Sequence, residues 1–171
     1  MRDASANHYE RAFEGWLIDH QVPYVRADEH KRIGTMRQSV KNFDFLLYAP
    51  LGRHIIVEVK GRTFSGTTLA GLKGLECWVT RDDVRGLRAW QTALGPSHEA
   101  AFVFAYRMAR VDVDFDGRDV LCLDRGCYVF LGIHIEDYQR HMRARSRRWQ
   151  TVTLPAERFR AHAIDLSALL A

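Results

Sequence analysis

The fold is decided by two apolar segments of the sequence, NFDFLLY at residues 42–48 and IIVEVKG at residues 55–61. Each segment carries one carboxylate, Asp44 in the first and Glu58 in the second. Side chains along a strand alternate between its two faces, so Glu58 and Lys60 are predicted to share a face. The linker between the segments is short, which predicts an antiparallel hairpin that brings Asp44 beside Glu58.

Two carboxylates and an ammonium on one face are costly to bury unless something uses their charges. A divalent metal ion bound by the carboxylates, with a phosphate bound to the metal and the ammonium, would account for all three charges. Mg²⁺ prefers oxygen ligands and keeps several waters. Asp44 and Glu58 are therefore candidate metal ligands, with the Val59 carbonyl as a third. Lys60 is a candidate to orient or deprotonate an attacking water, or to hold the phosphate.

Apolar spacing and turn residues around these segments predict an α/β fold with a central mixed sheet flanked by helices. The expected order is an amphipathic helix at 7–20, an extended segment at 23–25, strands at 40–48 and 54–60, a glycine-rich mobile loop at 61–74, a helix begun by Thr80-x-x-Asp83, and a buried strand at 101–106.

The remainder of the chain predicts a further α/β extension. Its expected elements are a hairpin from 111–115 and 120–123, a strand at 127–135, a helix at 136–148, a strand at 151–154 and a short helix starting at 155–160. We therefore divide the chain into a core at 1–107 and an extension at 108–171 that packs on it within one structural domain.

The composition is that of an ordinary globular protein, with 171 residues, 47% hydrophobic and 27% charged. The sequence has no apolar run of about eighteen residues and no signal-peptide pattern, so we expect a cytoplasmic protein without a membrane partner. The three cysteines, Cys77, Cys122 and Cys127, argue against a disulfide scaffold. Free buried cysteines explain them better than a zinc site with His134 and His141.

Asp112-x-Asp114-x-Asp116-Gly117 resembles the start of a calcium-binding loop. The twelfth position of such a loop is Glu, and here it is Leu123. We therefore expect no calcium site at these residues.

The net charge of +4 and the pI of about 9.1 permit a polyanionic partner. Basic residues concentrate in two clusters, one at 26–41 and one at 140–148. Solvated surfaces are the alternative explanation for both. The candidate phosphate contacts are Arg32, Arg37, Lys41, Arg62, Arg143 and Arg147.

Around Asp44, Glu58 and Lys60 the sequence resembles the PD-(D/E)XK nuclease superfamily, which has the restriction-endonuclease-like fold. The motif aspartate matches Asp44, and the acid-x-lysine motif matches Glu58 and Lys60. Phe43 stands where the family pattern often has proline. The acidic residue on the first helix of many members would match Glu10. The layout is most similar to archaeal Holliday-junction resolvases and small restriction-type endonucleases.

The resemblance implies an Mg²⁺-dependent deoxyribonuclease, an endonuclease in which Mn²⁺ substitutes for Mg²⁺. It also implies that Glu10 completes the metal site, and that DNA is the partner. A homodimer would suit an enzyme that cuts two strands. Some members place an auxiliary polar residue on the helix after the motif, where Gln91 lies.

Each candidate also has a structural explanation. Glu10 could be the capping-box partner of Asn7, and Asp44 could lie at a solvated strand edge. Glu58 and Lys60 could form an exposed charge pair, and Gln91 could be an ordinary helix-face residue. The rival functions are a non-catalytic module that binds nucleic acid or protein, and an assembly protein that associates through the apolar strands of residues 101–135.

Overall fold

A computed structural model describes residues 8–27 and 41–171. The α-helices in these residues are α1 His8–Asp19, α2 Arg81–Leu94, α3 Ile135–His141, α4 Ala156–His162 and α5 Leu166–Leu170. The strands are β1 Tyr24–Arg26, β2 Phe45–Tyr48, β3 His54–Phe64, β4 Val79–Thr80, β5 His98–Met108, β6 Leu121–Leu123, β7 Gly126–His134, β8 Arg143–Ser146, β9 Thr151–Thr153 and β10 Ile164–Asp165. In the two described ranges, no helix is long and apolar enough to cross a membrane.

The strands form two sheets. The larger has the order β1-β2-β3-β5-β7-β10, with β6 also paired to β7. The β3–β5 pair is parallel, and every other neighbouring pair in this sheet is antiparallel. The smaller sheet has the order β4-β9-β8. The predicted α/β class with a mixed central sheet is therefore confirmed.

The two faces of the larger sheet pack against different helices. Val57 of β3 lies in one buried cluster with Phe13 of α1. Ile56, on the opposite face, lies in a second cluster with Leu87 of α2. Complete burial of a side chain such as Phe13 stabilises the fold by about 1.5–3 kcal/mol. Because strand residues alternate, Glu58 shares the α2 face with Ile56.

The helix α1 approaches β3 most closely at Gly61. A Cβ added to Gly61 would lie 2.1 Å from a ring carbon of Tyr9. We therefore expect Gly61→Ala to lower the free energy of unfolding by about 1–3 kcal/mol, as overpacked cores do. Because Tyr9 precedes Glu10 in α1, the substitution should also displace Glu10 from its place beside the sheet. Urea denaturation measures the stability change.

Gly15→Ala is the matched control for this prediction. Gly15 lies in α1, the helix that carries Tyr9, and its added Cβ would meet a Leu121 side-chain carbon at an ordinary 3.4 Å. Alanine is the better helix former, so this variant should be as stable as the wild type or more stable. Equal unfolding midpoints for Gly61→Ala and the wild type would contradict the close packing of α1 on β3.

The hairpin of β2 and β3 is confirmed, with Phe45 opposite Val57. Its strands differ from the predicted lengths. Residues 41–44 precede β2 rather than belonging to it, and residue 40 lies outside the described ranges. β3 continues to Phe64, so the prediction of a loop from Gly61 is wrong at its start. All eleven residues of β3 pair in parallel with β5, and this pairing holds Gly61 in the strand.

The predictions for the extension are partly wrong. Residues 111–115 form no strand, and the hairpin consists instead of β6 and β7 around Asp124 and Arg125, both with positive φ. The helix α3 ends at His141, so the arginine cluster continues into β8 rather than along a helix. Pairing of β8 with β9 outweighs the helical propensity of the arginines. The predicted strand at 127–135 and the strand and helix after 150 are confirmed with small shifts.

The expectation of free, buried cysteines is wrong for two of the three. Cys122 and Cys127 form a disulfide, and they lie directly opposite each other in the β6–β7 register. Only the turn between the strands places them there, so their spacing in the sequence gave no warning. Cys77 is free and buried, as expected.

Candidate active site

Asp44 directly precedes β2, just outside the paired residues of β2 and β3. Its N–H donates to the Val57 carbonyl over 3.0 Å, and its Oδ2 accepts the Val59 N–H at 2.7 Å. The side chain thus replaces the missing strand partner of Val59. The N–H and C=O of one strand residue point to the same side, so the Val59 carbonyl faces this edge as well.

Glu58 and Lys60 lie beside Asp44 on the α2 face of β3. Glu58 is 6% exposed. Lys60 Nζ lies 3.1 Å from Glu58 Oε1, which confirms that the two side chains share a face. The structure therefore brings three of the predicted site residues together on the α2 face of the sheet, where β2 begins.

The pKa of Asp44 reports how these charges interact. Burial and the neighbouring Glu58 carboxylate, with a smaller contribution from Glu10, raise this pKa from 3.8 to about 8. The Val59 N–H and the Lys60 ammonium lower it without cancelling the increase. Burial, the largest cause, and the Glu58 charge thus both disfavour the ionised form of Asp44. A cation bound there would favour the ionised carboxylate.

Glu10 lies on α1 and pairs with Arg26. Arg26 Nη2 donates to Glu10 Oε2 at 2.9 Å, and Arg26 Nη1 contacts Glu14. The Glu10 charge nevertheless contributes to the raised pKa of Asp44. The predicted capping residue Asn7 lies outside the described residues.

Asp83 and Lys41 join Asp44, Glu58 and Lys60 in one charged cluster. Asp83, 4% exposed, accepts from Lys60 Nζ at 2.9 Å through Oδ2 and from Lys41 through Oδ1. Lys41 Nζ also lies 3.3 Å from Glu58 Oε1. Burial would raise the pKa of Asp83, but the charge of Lys60 and the hydrogen bonds from Lys41 and Lys60 outweigh it and hold this pKa at about 2.

Sequence reasoning missed this role of Asp83. The Thr80-x-x-Asp83 pattern identified it as a helix-capping residue, and the capping box is present. That same position at the start of α2 turns its side chain toward β3. The sequence offered one signal for this role: Asp83 is a capping acid at the start of the helix that follows the strand of Glu58 and Lys60.

The other predicted nucleic-acid contacts fall in different places. Arg32 and Arg37 lie outside the described residues, whereas Arg143 and Arg147 are exposed. Arg62 is half-buried over the ring of Trp78, 4.0 Å from its centroid, and donates to the carbonyls of Gly61 and Trp78. Burial lowers the pKa of Arg62.

Gln91 is not brought into the cluster of Asp44, Glu58 and Lys60. Its Nε2 donates to Glu136 Oε1 at 3.2 Å. It lines a separate cavity of about 460 Å³ that Glu99 and His134 also border.

The donor set determines which metals fit. Among the described residues, no group of three or more His, Cys, Asp or Glu side chains is placed to hold a metal ion. A pair of carboxylates with a backbone carbonyl does not match a zinc or calcium cage. It does match Mg²⁺, which commonly takes one or two carboxylates and fills its shell with waters and substrate phosphates.

No protein-family model and no curated protein matches this chain. A solved structure does match it: Hjc, a Holliday junction resolvase from the archaeal hyperthermophile Archaeoglobus fulgidus. The TM-score is 0.54 at 12% identity, and the match covers 96% of this chain and 99% of Hjc. Similarity at this identity is similarity of fold. The chain therefore has the fold of this resolvase, the restriction-endonuclease-like fold.

Proposed function

We propose that this protein is a metal-dependent nuclease that hydrolyses phosphodiester bonds in DNA, with Mg²⁺ held by Asp44, Glu58 and the Val59 carbonyl. The observation that carries the proposal is the placement of two carboxylates and a lysine together: Asp44 Oδ2 accepts the Val59 N–H at 2.7 Å, and Lys60 Nζ lies 3.1 Å from Glu58 Oε1. Two carboxylates next to a lysine suit a divalent cation and a phosphate.

When bound, Mg²⁺ lowers the pKa of a coordinated water and neutralises charge on the scissile phosphate. Lys60 then orients the attacking water or holds a phosphate oxygen, because its ammonium provides three donors on the same face as Glu58. Glu10 adds a further carboxylate on the α1 side, directly or through water. Phosphodiester hydrolysis needs an activated water and stabilisation of the charge that develops on the phosphate.

We assign DNA binding to an arginine hairpin, formed by β8 and the turn to β9, that displays the exposed residues Arg143, Arg145, Arg147 and Arg148. Its position supports the assignment. The Arg81 N–H at the start of α2 donates to the Gln150 carbonyl in the hairpin at 2.9 Å. Asp83, two residues further along α2, contacts Lys60. The basic surface thus adjoins the charged cluster.

Removing two arginines of this hairpin should weaken DNA binding through loss of phosphate contacts. We expect Arg143→Ala with Arg147→Ala to reduce the slope of log affinity against log salt by about 0.9 for each lost contact to duplex DNA. Fluorescence anisotropy at several salt concentrations measures this slope. Arg110→Ala, an exposed arginine outside the hairpin, is the control and should leave the slope unchanged. An unchanged slope in the double variant would remove the hairpin from the binding surface.

The test of the proposed function is cleavage of labelled single-stranded, duplex and four-way-junction DNA with Mg²⁺ or Mn²⁺. Cleavage by the wild type that disappears in EDTA and in the Lys60→Ala variant supports the nuclease. The three substrates also separate branch-specific from general cleavage. Absence of cleavage by any of them with either metal would overturn the proposal.

A second candidate function is a non-catalytic module that binds DNA through the same fold. The observation that favours it is the pairing of Lys41 and Lys60 with Glu58 and Asp83, which balances those charges without a metal. This candidate predicts salt-dependent DNA affinity without turnover in Mg²⁺ or Mn²⁺.

We further propose that the nuclease acts as a homodimer, because cutting two strands needs two sites. Light scattering coupled to size-exclusion chromatography gives the mass in solution. A monomer at assay concentrations that still makes paired cuts would contradict the dimer.

A further inference from the structure

We propose that Asp83 is a positioning residue that holds the Lys60 ammonium in its working place beside Glu58. The inference rests on the proposed nuclease function and adds a residue from α2 to a site otherwise built on the β2–β3 hairpin. It makes the first turn of α2 part of the site's framework.

The Lys60 ammonium is fixed by two carboxylates. Its Nζ lies 3.1 Å from Glu58 Oε1 and 2.9 Å from Asp83 Oδ2. An ammonium has three donors, so the two carboxylates leave one for a water or a phosphate oxygen. A lysine stem has many rotamers, and a single partner would restrict it less than two.

The Asp83 carboxylate is itself held by the backbone. Its Oδ2 accepts the Thr80 N–H at 2.9 Å, and the Asp83 N–H donates to Thr80 Oγ1 at 3.0 Å. The oxygen that contacts Lys60 is therefore the oxygen fixed by the helix cap. Gly86 keeps the next turn close to the backbone of Lys41, since an added Cβ would lie 3.2 Å from the Lys41 carbonyl.

Capping alone does not explain this arrangement. Asp82, the neighbouring acid in the same first turn, has a side chain that is 78% exposed, whereas the Asp83 side chain is 2% exposed. Burying a carboxylate is costly unless it is paired and hydrogen-bonded. Asp83 meets both conditions through Lys60 and Lys41.

The experiment compares Asp83→Asn with Thr80→Ala. Asparagine keeps a carbonyl oxygen for the Thr80 N–H but loses the negative charge that attracts Lys60. Thr80→Ala removes the other half of the capping box and leaves that charge in place. We expect Asp83→Asn to lower kcat about 10- to 100-fold with little change in KM for DNA, as misplacement of a reacting group does. Thr80→Ala should lower the melting temperature and keep the wild-type kcat.

A second measurement uses the metal-free protein and needs no activity. Thermal unfolding of Lys60→Ala, Asp83→Asn and the double variant forms a cycle. If Asp83 holds Lys60, the double variant should lose less stability than the sum of the single losses. Additive losses would overturn the inference.

Two activity results would also overturn it, and they are distinguishable. Cleavage by the wild type with an undiminished kcat in Asp83→Asn, or with equal losses in Asp83→Asn and Thr80→Ala, would reduce Asp83 to a capping residue and leave the nuclease intact. Absence of cleavage by the wild type would overturn the proposed function, and the inference with it, even if the unfolding cycle showed coupling.

Discussion

Replacing Asp44 with Asn is expected to abolish metal-dependent cleavage and, at pH 8, to make the metal-free protein more stable. Asparagine is a poor ligand for Mg²⁺ compared with a carboxylate, so the proposed metal site would lose one of its two anions. Its carbonyl oxygen can still accept the Val59 N–H, so the local hydrogen bond that fixes β3 at this edge is retained.

The gain follows from the raised pKa of Asp44. In the unfolded chain this carboxyl ionises near pH 3.8, and in the folded protein near pH 8. Between these values the folded state binds more protons at Asp44, so the contribution of this group to stability is greatest below about pH 4 and falls as the pH rises to about 8. The loss is at most about 1.4 kcal/mol for each pH unit. Asp44→Asn removes this group's contribution to the fall.

Thermal unfolding in EDTA at pH 5 and pH 8 measures the effect. We expect the melting temperature of Asp44→Asn to exceed that of the wild type at pH 8 by about 4 °C or more, and by less at pH 5. Asp82→Asn is the control, because the Asp82 side chain is exposed and pairs with Arg85 on the surface. Cleavage by Asp44→Asn would show that the active site is elsewhere. An unchanged melting temperature would show that Asp44 is not held at a charge cost.

The second large effect is expected from Lys60→Ala. Loss of the ammonium should lower kcat/KM at least about 100-fold, as removal of a positioned catalytic group does. DNA affinity should change little, since the arginine hairpin is untouched. The variant should also melt at a lower temperature, because Glu58 and Asp83 then share only Lys41 as a cation.

The assay must therefore run well below the melting temperature of the variant. Lys73→Ala, an exposed lysine in the loop after β3, is the control and should cleave like the wild type. Equal cleavage by Lys60→Ala and the wild type would mean either a contaminating nuclease or a misplaced active site. A loss of DNA affinity as large as the loss of kcat/KM would make Lys60 a binding residue only.

The parts of the site that follow from local spacing were predictable. Strand alternation places Glu58 and Lys60 on one face, and the short linker places Asp44 across the hairpin from Glu58. The contribution of Asp83 was not predictable, because it depends on how α2 crosses the sheet. No local rule fixes such a packing angle.

The secondary structure of the extension was harder to predict for a related reason. Residues 143–146 have helix-compatible arginines, yet pairing with β9 makes them a strand. The cysteines at 122 and 127 meet only because the turn lies at 124–125. In both cases a distant partner or a turn decides the structure, and its free energy exceeds the small propensity differences that a sequence displays.

The pairing of β5 with β7 sets a rule for making shorter versions of this protein. β5 contacts β3 along one side and β7 along the other, from Ala101 to Arg107. A fragment ending at residue 107 would leave seven residues of an apolar central strand with unpaired N–H and C=O groups. Such an edge recruits other chains and promotes aggregation. Truncation for crystallisation or assay should therefore keep β7, and an insoluble 1–107 fragment would say nothing against the chemistry of Asp44 and Lys60.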